Sequence, residues 1–518
     1  MEDLEIKKKI TIMVAVMASV LFVALNQTIV GTALPMIVAD IGGIHYFNWV
    51  FTAFMLASSV TAILVGKLSD IYGRKPFILA GLAIFTIGSL LNGTSDTIFQ
   101  LIAYRTVQGF GGGMIMSTAF TAVGDLFPPR ERGRWQGLMG ASFGIASVFG
   151  PTMGGYIVDH FQWHWVFWIF LPFGVVAFFL IWRLFPQTAQ SGKEPIDFAG
   201  AVLIAGTIIP LLLAFSWAGT DYAWTSPQIV GLFAISAMML VFFIWVEGRA
   251  TSPILPLHLF RNSVFTISNA VGFMMGLGMF GTIMYMPFFI QGVMGVSATQ
   301  TGFIMMAMTL SNVTGSAISG HIMTATGRYK RLALAGLLVM FGGLGAAACL
   351  HVDVATWMVV VNMVVFGFGL GTCFPIFTLT VQNAVQHRLL GVATSSAQLF
   401  RQMGGTVGVA ILGTIMNGLM GQKLHEITRL TEQLPERVED QIGELTNPQV
   451  LMDHERLARI QQSIPEQTQG VFTQLIGELR DALGYALNGA FLAAACVLFV
   501  AFILTLFLKE LELKTTNK

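Results

Sequence analysis

GKLSDIYGRKP, residues 66–76, returns as GHIMTATGRYK at residues 320–330. Gly66, Gly73 and Arg74 fall on Gly320, Gly327 and Arg328 at a constant offset of 254 residues. The same offset carries Gly137, Gly150 and Gly154 onto Gly391, Gly404 and Gly408. A third pair, GFGGG (109–113) and GFGLG (367–371), is offset by 258, so a short insertion intervenes. With 56 glycines single coincidences are easy, but one offset shared by separated sites marks a duplicated unit.

The duplicated unit is membrane-embedded. The 518 residues are 55% hydrophobic and 11% charged, with a mean hydropathy of +0.73. Soluble domains carry about 25% charged residues. A spanning helix needs about 20 mostly apolar residues. Fourteen runs qualify, near 10–34, 46–65, 77–94, 98–123, 136–158, 165–184, 198–217, 228–247, 264–290, 300–323, 332–351, 355–383, 391–420 and 485–508. The expected fold class is an all-α polytopic membrane protein. Two pseudo-symmetric six-helix bundles, 1–184 and 264–518, flank an insert of two helices at 198–247, and a long loop at 421–484 separates the last two spans.

Charge sets the expected orientation. With the N-terminus inside, segments on the inner side hold 20 of the 28 Lys and Arg, and the six short outer loops hold none. The 421–484 loop has 6 basic and 11 acidic residues, a net charge of −5 that suits an outer location. Its LHEITRLTEQL and VFTQLIGELRDAL stretches have helical spacing broken by Pro435, Pro448 and Pro465, which predicts two or three short amphipathic helices. Lys7, Lys8 and Lys9 precede a first span too long for a signal-peptide core, so that span reads as a retained helix. Cys349, Cys373 and Cys496 all lie in apolar spans, where packing rather than disulfide or metal chemistry is expected.

These residues carry a family resemblance. GKLSDIYGRKP resembles the loop signature between spans two and three of the major facilitator superfamily, and RTVQGFGGG (105–113) resembles its fourth-span motif. GPTMGG (150–155) resembles the fifth-span motif of its exporters. Fourteen spans, TIVGTALP (28–35) and RQMGG (401–405) are similar to the fourteen-span drug/proton antiporters of the QacA/EmrB type. The resemblance implies a monomeric exporter of lipophilic or cationic small molecules in a bacterial plasma membrane, with both termini cytoplasmic. Protons and membrane lipids are its other partners. It implies no cofactor, metal, nucleic acid or enzymatic activity. GFGGG lies inside an apolar span and lacks the Lys-Ser/Thr of a phosphate loop.

The resemblance also distributes roles. Gly66, Asp70, Gly73 and Arg74 form a candidate gate, in which glycine permits the tight turn and Asp70 pairs with Arg74 or faces a helix N-terminus across the halves. Thr324 stands where Asp70 would map, so a second-half latch must differ. Gly150, Pro151, Gly154 and Gly155 are expected to make a hinge or tight seam between the halves. Trp163, Trp165 and Trp168 are explained by an interfacial belt. Candidate substrate contacts are Asn26, Trp49, Phe54, Gln108, Tyr285, Phe288, Phe374, Phe377, Gln398 and Arg401.

Asn26 and Arg105 are the candidate proton-coupling pair. Arg105 lies about two turns into its span, where a charge faces protein or a watery cavity. None of the 27 Asp and Glu lies in the middle of a span. In QacA/EmrB-type exporters an aspartate usually stands where this chain has Asn26. Asparagine mimics the protonated acid but cannot release a proton. Either the chain natively lacks that acid or an aspartate has been replaced. A lipid or glycolipid flippase, or an uncoupled transporter, is the alternative function.

Overall fold

The computed structural model describes residues 5–42, 46–186, 195–219, 221–431 and 469–511. In a membrane every backbone polar group must be satisfied within the protein, which favours long helices. The N-terminal half contains α1 (Ile6–Ile41), α2 (Phe47–Tyr72), α3 (Arg74–Asn92), α4 (Ile98–Leu126) and α5 (Pro129–His160). Its last span is broken into α6 (Trp165–Trp168) and α7 (Leu171–Leu184), with Pro172 at the restart. The insert is α8 (Phe198–Trp217) and α9 (Pro227–Glu247), with N-termini capped by Asp197 and Ser226. The C-terminal half follows as α10 (Ser263–Pro287), α11 (Ala298–Thr326), α12 (Lys330–Ala347), α13 (Thr356–Asn383), α14 (Leu390–Thr431) and α15 (Gln469–Leu506). A π-helical turn, Phe288–Val293, extends α10.

Twelve segments among the described residues are long and apolar enough to cross a membrane, against the fourteen expected. α4 and α11 account for the difference: each is 29 residues long, but their Gly, Ser, Thr and Gln content lowers their hydropathy. Two expected boundaries are corrected. LHEITRL is not a separate helix but the end of α14, and VFTQLIGELRDAL is the start of α15. Residues 432–468 of the expected loop lie outside the described residues.

The sequence repeat is a repeat of helix contacts. A methyl placed on Gly109 or Gly113 of α4 would collide with the backbone of α2 at Phe54 and Ser58. One on Gly367 or Gly371 of α13 would collide with α11 at Met308 and Asn312. Gly150 and Gly154 seat α5 on α1, at Thr28, Ile29 and Thr32, and Gly404 and Gly408 seat α14 on α10, at Phe273 and Leu277. Without side chains in the way the backbones come close enough for dense packing, the main source of helix association in lipid.

Gly404→Val tests this directly, because a Cβ there would lie 1.9 Å from the Phe273 carbonyl oxygen. Overpacking of that kind costs about 3 kcal/mol or more. A fall of roughly 3 °C or more in the melting midpoint of the purified protein is expected. Gly345→Val, where a Cβ meets nothing within 4 Å, should leave the midpoint nearly unchanged.

The seam expected between the halves runs elsewhere. Gly150 and Gly154 pack within their own half, Pro151 is exposed, and a Cβ on Gly155 would meet nothing within 4 Å. The close cross-half approaches are Gly66 to Gly391, Gly137 to Ser316, Gly144 to Val313 and Gly320 to Gly133. The halves therefore meet through α2 with α14 and α5 with α11. The insert lies against the first pair: Trp217 of α8 meets Trp49 of α2 with ring centres 5.5 Å apart, and Trp224 Nε1 donates to Thr414 Oγ1 of α14 at 2.8 Å.

Candidate functional site

The contact between halves is clamped where α2 turns into α3. Gly73 makes that turn at φ +88°, and its repeat Gly327 turns at φ +67°, both in the region that favours glycine. The turn presents the Asp70 side chain, buried to 3% exposure, to the first turn of α14. Asp70 accepts from the backbone N–H of Gly391 at 2.9 Å and of Val392 at 3.0 Å. Those N–H groups have no partner inside their own helix, and the positive end of the helix dipole adds to the attraction. Arg74 pairs with Asp70, donates from Nε to Asp125 Oδ2 at 2.9 Å and from Nη1 to Ser69 Oγ at 2.7 Å. His387 of the other half lies 3.6 Å from Asp125.

The pseudo-equivalent contact uses opposite charge. Thr324 replaces the acid, and Arg130 at the start of α5 donates to the carbonyls of Thr324 at 2.7 Å and Ala325 at 2.9 Å. These carbonyls are the orphan acceptors at the end of α11, where a cation is favoured. Sequence reasoning passed over Arg130, since its target is backbone and leaves no residue signature. Deeper between the halves, Gln136 Nε2 donates to Gln382 Oε1 at 3.0 Å and Ser59 Oγ to Gln402 Oε1 at 2.9 Å.

A second polar cluster is sealed inside the N-terminal half. Asn26 of α1 and Arg105 and Gln108 of α4 have no exposed surface. Asn26 Oδ1 accepts from Arg105 Nη1 at 3.1 Å and from Gln108 Nε2 at 3.0 Å. Asn26 Nδ2 donates to Ser89 Oγ at 3.2 Å, and Ser89 in turn donates to the Phe167 carbonyl at 2.8 Å. Gln108 Oε1 accepts from Arg105 at 2.6 Å and from Asn92 at 2.9 Å. The guanidinium also stands 4.6 Å from the Phe54 ring centre. A buried charge needs such partners, and every one of these is neutral.

The expected substrate contacts divide. Asn26 and Gln108 belong to the sealed cluster, and Phe54 lies beneath Arg105 at 1% exposure, against Phe85. Trp49 faces the insert rather than the space between halves. Tyr285 donates to the Val409 carbonyl at 2.7 Å and packs beside Phe288, while Phe377 is buried in the C-terminal core. Phe374, Gln398 and Arg401 stay partly exposed where the halves meet. Phe374 packs against Phe120 of the N-terminal half, and Arg401 lies over its ring at 4.1 Å.

Two bundles related by repeated glycine contacts are joined at one end by the Asp70 clamp. Residues 16–409 match the Major Facilitator Superfamily. The chain belongs to that superfamily. It is a transporter and not an enzyme. Multidrug transporter protein MdtP of Bacillus subtilis is 38% identical to this facilitator over 512 residues, spanning 98% of this chain and 94% of the relative. Multidrug resistance protein 3 of the same organism is 34% identical over 506 residues, 98% of this chain and 96% of the relative. The human organic anion transporter MFSD10 shares the fold at 14% identity, with a TM-score of 0.63 over 96% of this chain and 99% of that one. The proton:xylose symporter XylE does so at 12% identity, with a TM-score of 0.61 over 99% and 98%.

Proposed function

We propose that this facilitator exports lipophilic small molecules across a bacterial plasma membrane by alternating access, with fourteen spans and both termini in the cytoplasm. The observation that carries the reading is the Asp70 clamp on the first turn of α14. It joins the halves at one end through hydrogen bonds that rigid-body rocking would break and remake. On this reading the clamp end is cytoplasmic and the clamped state faces outward. The kinship with multidrug transporters supports the substrate class. Proton entry drives export in the family that the sequence resembles; here position 26 and Arg105 stand as the coupling pair, and Asn26 disables the coupling until an acid is restored there.

Asn26 favours a second reading, an uncoupled transporter or a flippase for lipid or glycolipid, because its amide does not exchange charge with solvent. Proteoliposomes containing the full chain separate the two. Transport of lipophilic dyes of positive, negative and zero charge is followed beside flipping of a fluorescent phospholipid, with and without a pH gradient. Dye movement above that of protein-free liposomes is the expected result. Phospholipid flipping without dye movement would replace the efflux reading with the lipid one, and movement of neither would remove both.

A further inference from the structure

Arg401 lies nine to ten residues beyond Gly391 and Val392 in α14, so about 14 Å along the axis from the clamp, well inside a hydrocarbon core about 30 Å thick. A guanidinium keeps its charge in proteins and offers five N–H donors in a planar fork. Among the described residues Arg401 makes no hydrogen bond and no ion pair; its guanidinium lies over the Phe374 ring at 4.1 Å. This contrasts with Arg105, whose side chain is held by Asn26, Gln108 and the ring of Phe54. The surroundings of Arg401 are neutral. Gly276 of α10 packs on its backbone, Phe120 meets Phe374 from the other half, and Gln402 is engaged by Ser59. One turn away, Gln398 Oε1 is buried without a hydrogen-bond partner. A charge at this depth faces a partner or a water-filled cavity, and burying an amide oxygen without a donor is costly.

We propose that Arg401, seated on Phe374, binds an anionic group of the transported solute, and that Gln398 accepts a hydrogen bond from a neighbouring donor on it. The site therefore selects lipophilic carboxylates or similar anions over cations. Phe374 and Phe120 supply the apolar wall, and the guanidinium fork matches a carboxylate in two-point geometry. This rests on the efflux reading for its solute, but binding tests it independently of transport.

The probes are 1-pyrenebutyrate, 1-pyrenebutanol and 1-pyrenebutyltrimethylammonium, which share one aromatic body and differ in head-group charge. Their binding to the full chain in nanodiscs, less that to empty nanodiscs, is compared for the parent protein, Arg401→Gln and Arg401→Lys. The parent is expected to prefer the carboxylate to the alcohol by about tenfold or more, since hydrogen bonds to charged groups carry that scale of discrimination. Arg401→Gln should erase the preference, and a melting midpoint close to the parent's shows that the variant is folded. Arg401→Lys should keep part of it. Equal binding of carboxylate and alcohol by the parent, a preference for the ammonium probe, or an undiminished carboxylate preference in Arg401→Gln would overturn the proposal. Carboxylate-selective binding without dye transport would overturn the efflux reading and leave the site standing.

Discussion

Asp70→Ala is expected to stop transport and to open the clamped end while leaving the protein folded. The cross-half part of the clamp is the pair of hydrogen bonds from Gly391 and Val392 to one carboxylate. Hydrogen bonds to a charged acceptor contribute about 1.5–3 kcal/mol each. Losing both shifts the balance between clamped and released states by roughly 100-fold or more. The fold should survive because Arg74 keeps Asp125 and Ser69, both within its own half. Asp70→Asn should be milder, since one amide oxygen still accepts from α14 while its amide nitrogen faces a donor. Spin labels at Tyr72 and Arg388, both exposed at this end, report the separation by electron–electron resonance. The expected result is a second, longer distance population in Asp70→Ala. An unchanged distance distribution together with normal dye export would show that Asp70 does not hold the halves together.

The partner of Asp70 also shows where sequence stops being informative. The glycine repeat was readable because inter-helix closeness restricts side chains, and restriction of side chains is what a sequence records. Gly109, Gly113, Gly367 and Gly371 could be paired across the two halves before any geometry was known, although which helices they seat could not. Asp70 and Arg130 both act on backbone groups, at Gly391, Val392, Thr324 and Ala325, and any residue type supplies those. The pairing of position 26 with Arg105 was legible through the family resemblance, which sets an acid at position 26 and bonds the fourth-span arginine to the first span; Gln108 and Ser89 as further partners came only with the geometry. Aromatic residues were the weakest guide. Trp49 and Phe374 look alike in an apolar run, yet one packs on the insert and the other meets Phe120 across the interface. The ends of α14 and α15 were missed for a related reason: helices continue past the apolar run into polar sequence, where hydropathy says nothing.

Asn26→Asp is expected to confer proton coupling on export, and the hydrogen bonds around position 26 indicate how. Asn26 accepts from Arg105 and Gln108 through Oδ1 and donates through Nδ2 to Ser89. A protonated aspartic acid reproduces that pattern, with its O–H donating to Ser89 in place of the amide. Once ionised, the carboxylate has no proton to give. Ser89 must then turn away from the Phe167 carbonyl to donate to the acid, or leave two acceptors facing each other. Ionisation would meanwhile place a full negative charge about 3 Å from Arg105, whose Nη2 has no partner among the described residues. The two protonation states of the introduced acid therefore demand different arrangements of α1, α3 and the break before α7, which is what coupling to a conformational change requires. In proteoliposomes, the parent chain should move dye at a rate insensitive to an imposed pH gradient. Asn26→Asp should move it faster when protons can flow inward, with substrate-dependent alkalinisation on the side that protons leave. Adding Ser89→Ala to Asn26→Asp should weaken the pH dependence without abolishing transport. If Asn26→Asp transports dye but carries no substrate-dependent proton flux, position 26 is not the coupling site and the uncoupled reading stands.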